Sequence, residues 1–193
     1  MKLSEIDALL KASLPPNRYE HSVRVMHNAT VLAEHYGLDE KKAQLAGLIH
    51  DCGREISTAD APGRARAMGL TISLLEQTQP VLLHARLGPI IAREKYKITD
   101  QEILRAIALH TTGGDNMTEL DKVIFLTDYT EPERKQKGVE KVRELLRKNL
   151  NQAMLEALRQ NIEYLLERGR GIHPDCIDGW NYFLLKADEG NYL

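Results

Sequence analysis

The chain has 193 residues, 42% of them hydrophobic and 28% charged, and a formal net charge of −2. That length supports one good core, and the near-neutral balance argues against nucleic acid as a main partner, since phosphate-backbone binders carry a basic excess. No apolar run approaches the roughly 20 residues of a membrane span, and the opening MKLSEIDALLK lacks a signal-peptide core, so no membrane partner is expected.

Apolar residues recur at spacings of three and four almost throughout, so the predicted fold class is all-α. Ile6, Leu9, Leu10 and Leu14 mark a first short helix, stopped by Pro15 and Pro16. A long helix is predicted over 18–36, with Gly37 as its stop and Val25, Ala29, Leu32, Ala33 and Tyr36 as its apolar face. Asp39 can cap the next helix, whose inner face carries Ala43, Ala46, Leu48 and Ile49 and whose expected stop is Gly53. Two short helices broken at Gly69 are expected over 57–79, then a helical turn over 80–87 and a separate helix over 89–96. A helix over 100–111 ends at Gly113 and Gly114, and Thr118 with Asp121 resembles a capping box opening the run through Asp128. Residues 133–138 read as a solvated polar loop, followed by helices over 139–147 and 151–168. A loop from Gly169, with a cap at Asp175, leads to a last helix over 178–185. No strand alternation, repeat or linker interrupts the pattern, so 1–193 reads as a single domain.

Two cysteines, Cys52 and Cys176, lie far apart and form no disulfide framework, which fits a reduced, cytoplasmic compartment. Seven histidines beside two cysteines direct any metal reading towards imidazole and carboxylate ligands, favouring iron, manganese, cobalt or catalytic zinc.

Helix phase separates the histidines. His21 lies four residues before Val25, His50 four after Ala46, His84 three after Val81, and His110 three after Ile107, itself four after Ile103, all on apolar stripes. Asp128 lies four after Ile124 at the end of an apolar run. His27 and His35 fall on the solvated side of their helix, and His173 sits in a loop beside Pro174. A private hydrogen-bond partner could satisfy any one of the inward residues, and Asp128 alone could be a cap. One shared cation satisfies the whole set. Neighbours on a helix point about 100° apart, so His50 and Asp51 can share an ion only beside a helix end.

The ordered set His21, His50-Asp51, Asp128 resembles the signature of the HD phosphohydrolase superfamily, with His84 and His110 at the intermediate positions of members with enlarged sites. The blocks RYEHSVRV, LIHDCGRE, LHARLGP, ALHTTG, DYTEPER and GIHPDCIDGWNYF, spread over 18–183, are similar to the YqeK family. The resemblance implies an HD-domain helical bundle with a metal-site core over about 18–130 and C-terminal helices with a nucleotide-closing tail over about 139–193. It also implies symmetrical cleavage of diadenosine tetraphosphate to two ADP by metal-activated water.

The same resemblance implies iron or a comparable divalent ion, one or two per chain, on His21, His50, Asp51 and Asp128. Asp51, His84 and His110 become the catalytic candidates. The two histidines are left open between phosphate contact, protonation of the leaving group and a second ion. Arg18, Arg54 and Arg134 are implied phosphate ligands, with Cys52 and Gly53 beside them in the motif and Thr111 as a hydroxyl donor. The tail residues Gly171, Ile172, His173, Pro174, Asp175 and Cys176 are implied to close on the nucleotide. Trp180 and Tyr182 read as packing for the last helix. A homodimer is compatible with the resemblance, though the sequence offers no seam. Competing readings are an HD phosphohydrolase for other nucleotides and a nucleotide-binding module without turnover.

Overall fold

Pro16 opens a helix, because a proline at the first helical position has no intrahelical hydrogen bond to lose. The structure, a computed structural model, describes residues 1–189, with side chains described to 186. Residues 190–193, the end of the predicted C-terminal segment, lie outside the described residues. Helices α1 (Leu3–Ser13), α2 (Pro16–His35) and α3 (Glu40–Ile49) lead into a 3₁₀ turn at Cys52–Glu55. Short helices α4 (Ala61–Ala67) and α5 (Leu74–Thr78) and a 3₁₀ turn at Pro80–Leu82 follow. Then come α6 (Leu83–Glu94), α7 (Gln101–Leu109), α8 (Glu119–Tyr129), α9 (Val139–Leu146), α10 (Leu150–Glu167) and α11 (Pro174–Glu189). There is no strand among the described residues, so the all-α expectation holds.

The predicted caps are in place. Asp39 accepts from the Lys41 and Lys42 backbone at 2.9 and 3.1 Å. Thr118 and Asp121 make the reciprocal box at 3.2 and 2.8 Å. Helix α2 packs on α3 and α8, α3 on α7 and α8, and α6 on α7, so their apolar stripes meet in one core that includes Leu48, Leu83, Leu87, Ile107, Ile124 and Leu126. Helix α10 packs on α8 and α9 and carries α11 beside it. No helix among the described residues is long and apolar enough to cross a membrane.

Three expectations need correction. Pro89 does not separate two helices: α6 runs through it, because Leu83, Leu87 and Ile91 form one continuous buried stripe on the core. Gly53 does not stop α3, which ends at Ile49. It lies inside the next 3₁₀ turn, and a Cβ there would stand 2.1 Å from the His84 carbonyl oxygen. Asp175 does not cap the last helix, which starts one residue earlier at Pro174. Instead, the His173 ring Nδ1 accepts from the Asp175 N–H at 3.3 Å.

Candidate active site

Small residues set the first approach. A Cβ at Gly47 would stand 2.9 Å from Met26 Cα, so only glycine lets α2 and α3 close to this separation. That contact brings the His21 ring, on the inner face of α2, to 5.3 Å from the His50 ring. Helix α3 ends just before His50, and the chain turns into the 3₁₀ segment at Asp51. His50 and Asp51 therefore enter one space from different sides, as the adjacent pair required.

The predicted inward residues do converge. The His50 and His110 rings lie 5.0 Å apart and His84 and His110 4.9 Å. His21, His50, Asp51, His84 and His110 are buried, and Asp128 is half-buried at the end of α8. Ligand atoms of His21, His50 and Asp51 lie within 4.8 Å of one another, as do those of His50, His110 and Asp128, and those of Asp51, His84 and His110. His27 and His35 are exposed, as expected.

The backbone sets the tautomers. Nδ1 of His50, His84 and His110 lies 2.8, 2.5 and 2.6 Å from the carbonyls of Gly47, Val81 and Ile107, each three residues earlier. A carbonyl accepts only, so Nδ1 carries the proton and Nε2 turns a lone pair inward. The Nε2 atoms of His21 and His50 are buried without a hydrogen-bond partner, although Asp128 Oδ1 lies 2.9 Å from the former. His84 Nε2 and His110 Nε2 face each other at 3.0 Å, an arrangement that needs a proton or a cation between them. Buried, unpartnered nitrogen lone pairs beside two carboxylates fit a divalent cation.

Charge follows the same logic. Burial pushes His50 down to about 4, with His110 and His21 adding to the effect against Asp51. Burial likewise lowers His84. Burial would raise Asp51, but His50, His110 and His84 outweigh it and hold the carboxyl well below its usual range. Asp128 is held low in the same way by the His21 ring, Arg134 and His50.

These shifts predict the acid response of the metal-free protein. Below the ordinary value of 6.5 the unfolded chain takes up a proton at His50 that the folded chain refuses until about 4. Stability is therefore full above the upper value, falls through that window and levels off below it, by about 3 kcal/mol for this group. The low carboxylates act later, losing their contribution only beneath the usual aspartate range. Thermal melts of chelator-treated protein across the window check this; a flat melting temperature would contradict a neutral, buried His50.

Three guanidiniums ring the cluster. Arg54 Nε lies 2.7 Å from Asp51 Oδ1, Arg18 Nη1 3.6 Å from Asp51 Oδ2, and Arg134 Nη2 2.9 Å from Asp128 Oδ1. Thr111 Oγ1 lies 3.1 and 3.0 Å from His84 and His110 Nε2. Two clefts open from the cluster and share Arg54. One of about 260 Å³ is lined by Arg18, Gly53 and His84, and one of about 710 Å³ by His110, Thr111, Asp128 and Arg134 and by α10. Cys52 turns its thiol into the core, 3.4 Å from Gly88 O, and burial raises its pKa, so it is no ligand.

The tail is not brought onto the cluster. Gly171 O accepts from Gln79 at 3.2 Å, beside Pro80 and Val81 of the smaller cleft. Cys176 Sγ lies 3.9 Å from Asn161, in the wall of the larger one. Ile172, Trp180 and Tyr182 pack against the core, and Pro174 is exposed. Sequence reasoning missed Glu131, which is 2% exposed, reaches 3.8 Å from His21 Nδ1 and is gripped by Arg24. Its signal was available, because Glu131 lies in the same DYTEPER block as Asp128 and Arg24 one helical turn after His21.

The HD domain family model matches residues 18–133, from Arg18 on α2 to just past Glu131. The chain belongs to the HD domain family. This HD domain chain is 39% identical to the "Bis(5'-nucleosyl)-tetraphosphatase, symmetrical" of Halalkalibacterium halodurans, over 92% of its own length and 95% of the relative's. It is 34% identical to the protein of the same name from Bacillus subtilis, over 95% and 98%. Its backbone matches the crystal structure of an HD superfamily hydrolase from Clostridium acetobutylicum, described as involved in NAD metabolism, with a TM-score of 0.91 and 33% identity over 96% of this chain and 98% of that one. As an HD domain with this His/Asp cluster, the chain carries a site for a divalent metal.

Proposed function

We propose that this HD domain protein hydrolyses diadenosine tetraphosphate to two ADP with a divalent cation held by His21, His50, Asp51 and Asp128. The observation that carries the reading is the buried Nε2 pair of His21 and His50, the first 2.9 Å from Asp128 Oδ1 and the second without a hydrogen-bond partner, set beside two carboxylates that arginines hold. The substrate follows from the relatives' names, which share nearly the full length of the chain. Iron is the metal we assign, since a mixed imidazole and carboxylate set suits it; manganese, cobalt and zinc share that chemistry. The Asp51, His84 and His110 group offers a place for a second ion. We place the enzyme in the cytoplasm, where its nucleotide substrate and reduced cysteines belong.

A bound divalent cation supplies a water of lowered pKa and neutralises phosphate charge. The rest is the work of side chains. Arg18, Arg54 and Arg134 hold non-bridging phosphate oxygens, exchanging their carboxylate partners for the substrate. Thr111 donates its hydroxyl to a phosphate oxygen. With a single ion bound and the Asp51, His84 and His110 group free of a second, His84 and His110, 3.0 Å apart, share one proton at their Nε2 atoms and release it towards the oxygen leaving with ADP. ADP leaves as a stabilised anion, so neutralising charge matters more than strong acid catalysis. Gly53 shapes the wall beneath Arg54, and residues 171–176 close beside the two clefts over the nucleotide.

The test is a product assay. Protein purified without oxygen is given diadenosine tetraphosphate with iron(II) or manganese(II), and the nucleotides are resolved by chromatography. ADP as sole product is expected. ATP with AMP would overturn central cleavage, and no turnover with either metal would overturn the reading itself.

A further inference from the structure

The substrate proposed above has two identical halves about one bridging oxygen. With the reacting phosphorus at the histidine cluster, the halves must extend to opposite sides of it. Two clefts leave the cluster on the two sides of Arg54, and they differ in size and chemistry. The smaller, of about 260 Å³, lies at the lower end of ligand pockets and carries Arg18 and Arg54, so it suits phosphates better than a nucleoside. The larger, of about 710 Å³, has room for both.

The larger cleft changes character along its length. Its inner end carries Arg54 and Arg134, which suit phosphate. Its outer wall is one face of α10, where Glu156, Gln160, Glu163, Tyr164 and Glu167 follow at helical spacing over about 16 Å. A phosphate does not belong there. Arg159, the cation of that wall, is already paired with Glu156 and Glu163, and further carboxylate lies beyond. Carboxylates and amides accept from ribose hydroxyls and from an exocyclic amine. Tyr164 adds a ring: it is 43% exposed, and Arg168 covers it 4.5 Å from the ring centroid. A planar group can stack only on the face that Arg168 leaves free.

We propose that the α10 wall of the larger cleft is the binding site for the nucleoside of the substrate's second half, with Tyr164 stacking on its base. This inference rests on the dinucleotide reading above. It makes the α10 face the element that distinguishes a dinucleoside polyphosphate from a mononucleotide, since a single mononucleotide fills one subsite and only the dinucleotide spans both.

The metal-loaded protein should bind two ADP per chain by calorimetry, one for each product half. Tyr164→Ala should bind one, with KM for diadenosine tetraphosphate raised roughly tenfold or more, the range of one base–aromatic stack. Tyr164→Phe should restore both, because the ring and not the hydroxyl does the stacking. The mutated residue is surface-exposed, so the fold is preserved, and metal content by elemental analysis verifies an intact centre. One ADP per wild-type chain, or an unchanged second site in Tyr164→Ala, overturns the inference. The binding readout is independent of turnover. A protein that binds two ADP but does not cleave the tetraphosphate refutes the activity and leaves the second site standing.

Discussion

His50→Ala yields a folded protein without its metal and without hydrolytic activity. His50 is fully buried, its Nδ1 is tied to Gly47 O at 2.8 Å, and its Nε2 has no other partner. The substitution leaves a cavity and one unpaired carbonyl, costing about 2–4 kcal/mol, against total stabilities of about 5–15 kcal/mol for such domains. The chain should therefore keep its helical circular dichroism. It should not keep the ion, because His50 belongs to two of the three ligand groups, with His21 and Asp51 and with His110 and Asp128. Losing the ion's charge neutralisation and water activation, worth several kcal/mol in the transition state, lowers kcat by about a thousandfold or more. Elemental analysis and turnover on the same sample check both halves. Full metal occupancy in the variant would remove His50 from the ligand set.

Gly53→Ala should be the most damaging of the small substitutions. The added Cβ would lie 2.1 Å from His84 O, 2.9 Å from His84 C and 3.0 Å from Gly88 N. All three are backbone atoms of α6, so no side-chain rotation relieves the contact, and the 3₁₀ turn must part from the helix. Overpacking against backbone costs about 3 kcal/mol or more, which for a chain of this size lowers the melting temperature by about 6–12 °C. Asp51 and Arg54 flank the moved residue and His84 lies opposite, so activity falls as well. Gly63→Ala is the control, since a Cβ at Gly63, within α4, meets nothing within 4 Å. Equal melting temperatures for the two variants would contradict the contact.

The site was legible because its histidines ride on helices. A period of 3.6 puts His21, His50 and His110 on the same faces as Val25, Ala46 and Ile107, and whatever buries those apolar residues buries the imidazoles with them; Val81 is exposed, and His84 is buried instead within α6 beside Leu83 and Leu87. The caps at Asp39 and Thr118 were readable for a similar reason, being local chemistry within three residues. Pro89 and Gly53 were not. Local rules read a proline as a break and a glycine as a stop, but packing decided both: the buried Leu83, Leu87 and Ile91 stripe carries α6 past the proline, and the close approach of α6 dictates the glycine. Glu131 escaped because carboxylates at helix ends usually face solvent, and only the fold shows that His21 and Arg24 enclose it. The α10 wall was invisible for another reason. Its residues are polar at helical spacing, the same pattern a solvated face has, and only α8 across the cleft turns that face into a wall.

The arginines around the centre have a further consequence. Arg18 and Arg54 lean on Asp51, and Arg134 on Asp128, while the same carboxylates are the anionic members of the ligand groups. A cation entering the cluster and a guanidinium compete for one oxygen, and a guanidinium set free is available to an incoming anion. With the proposed ligands, metal and nucleotide would be mutual effectors in this fold: whatever factor the ion adds to the affinity for the polyphosphate, the polyphosphate must return to the ion. The centre should hold its metal most tightly while there is substrate to cut.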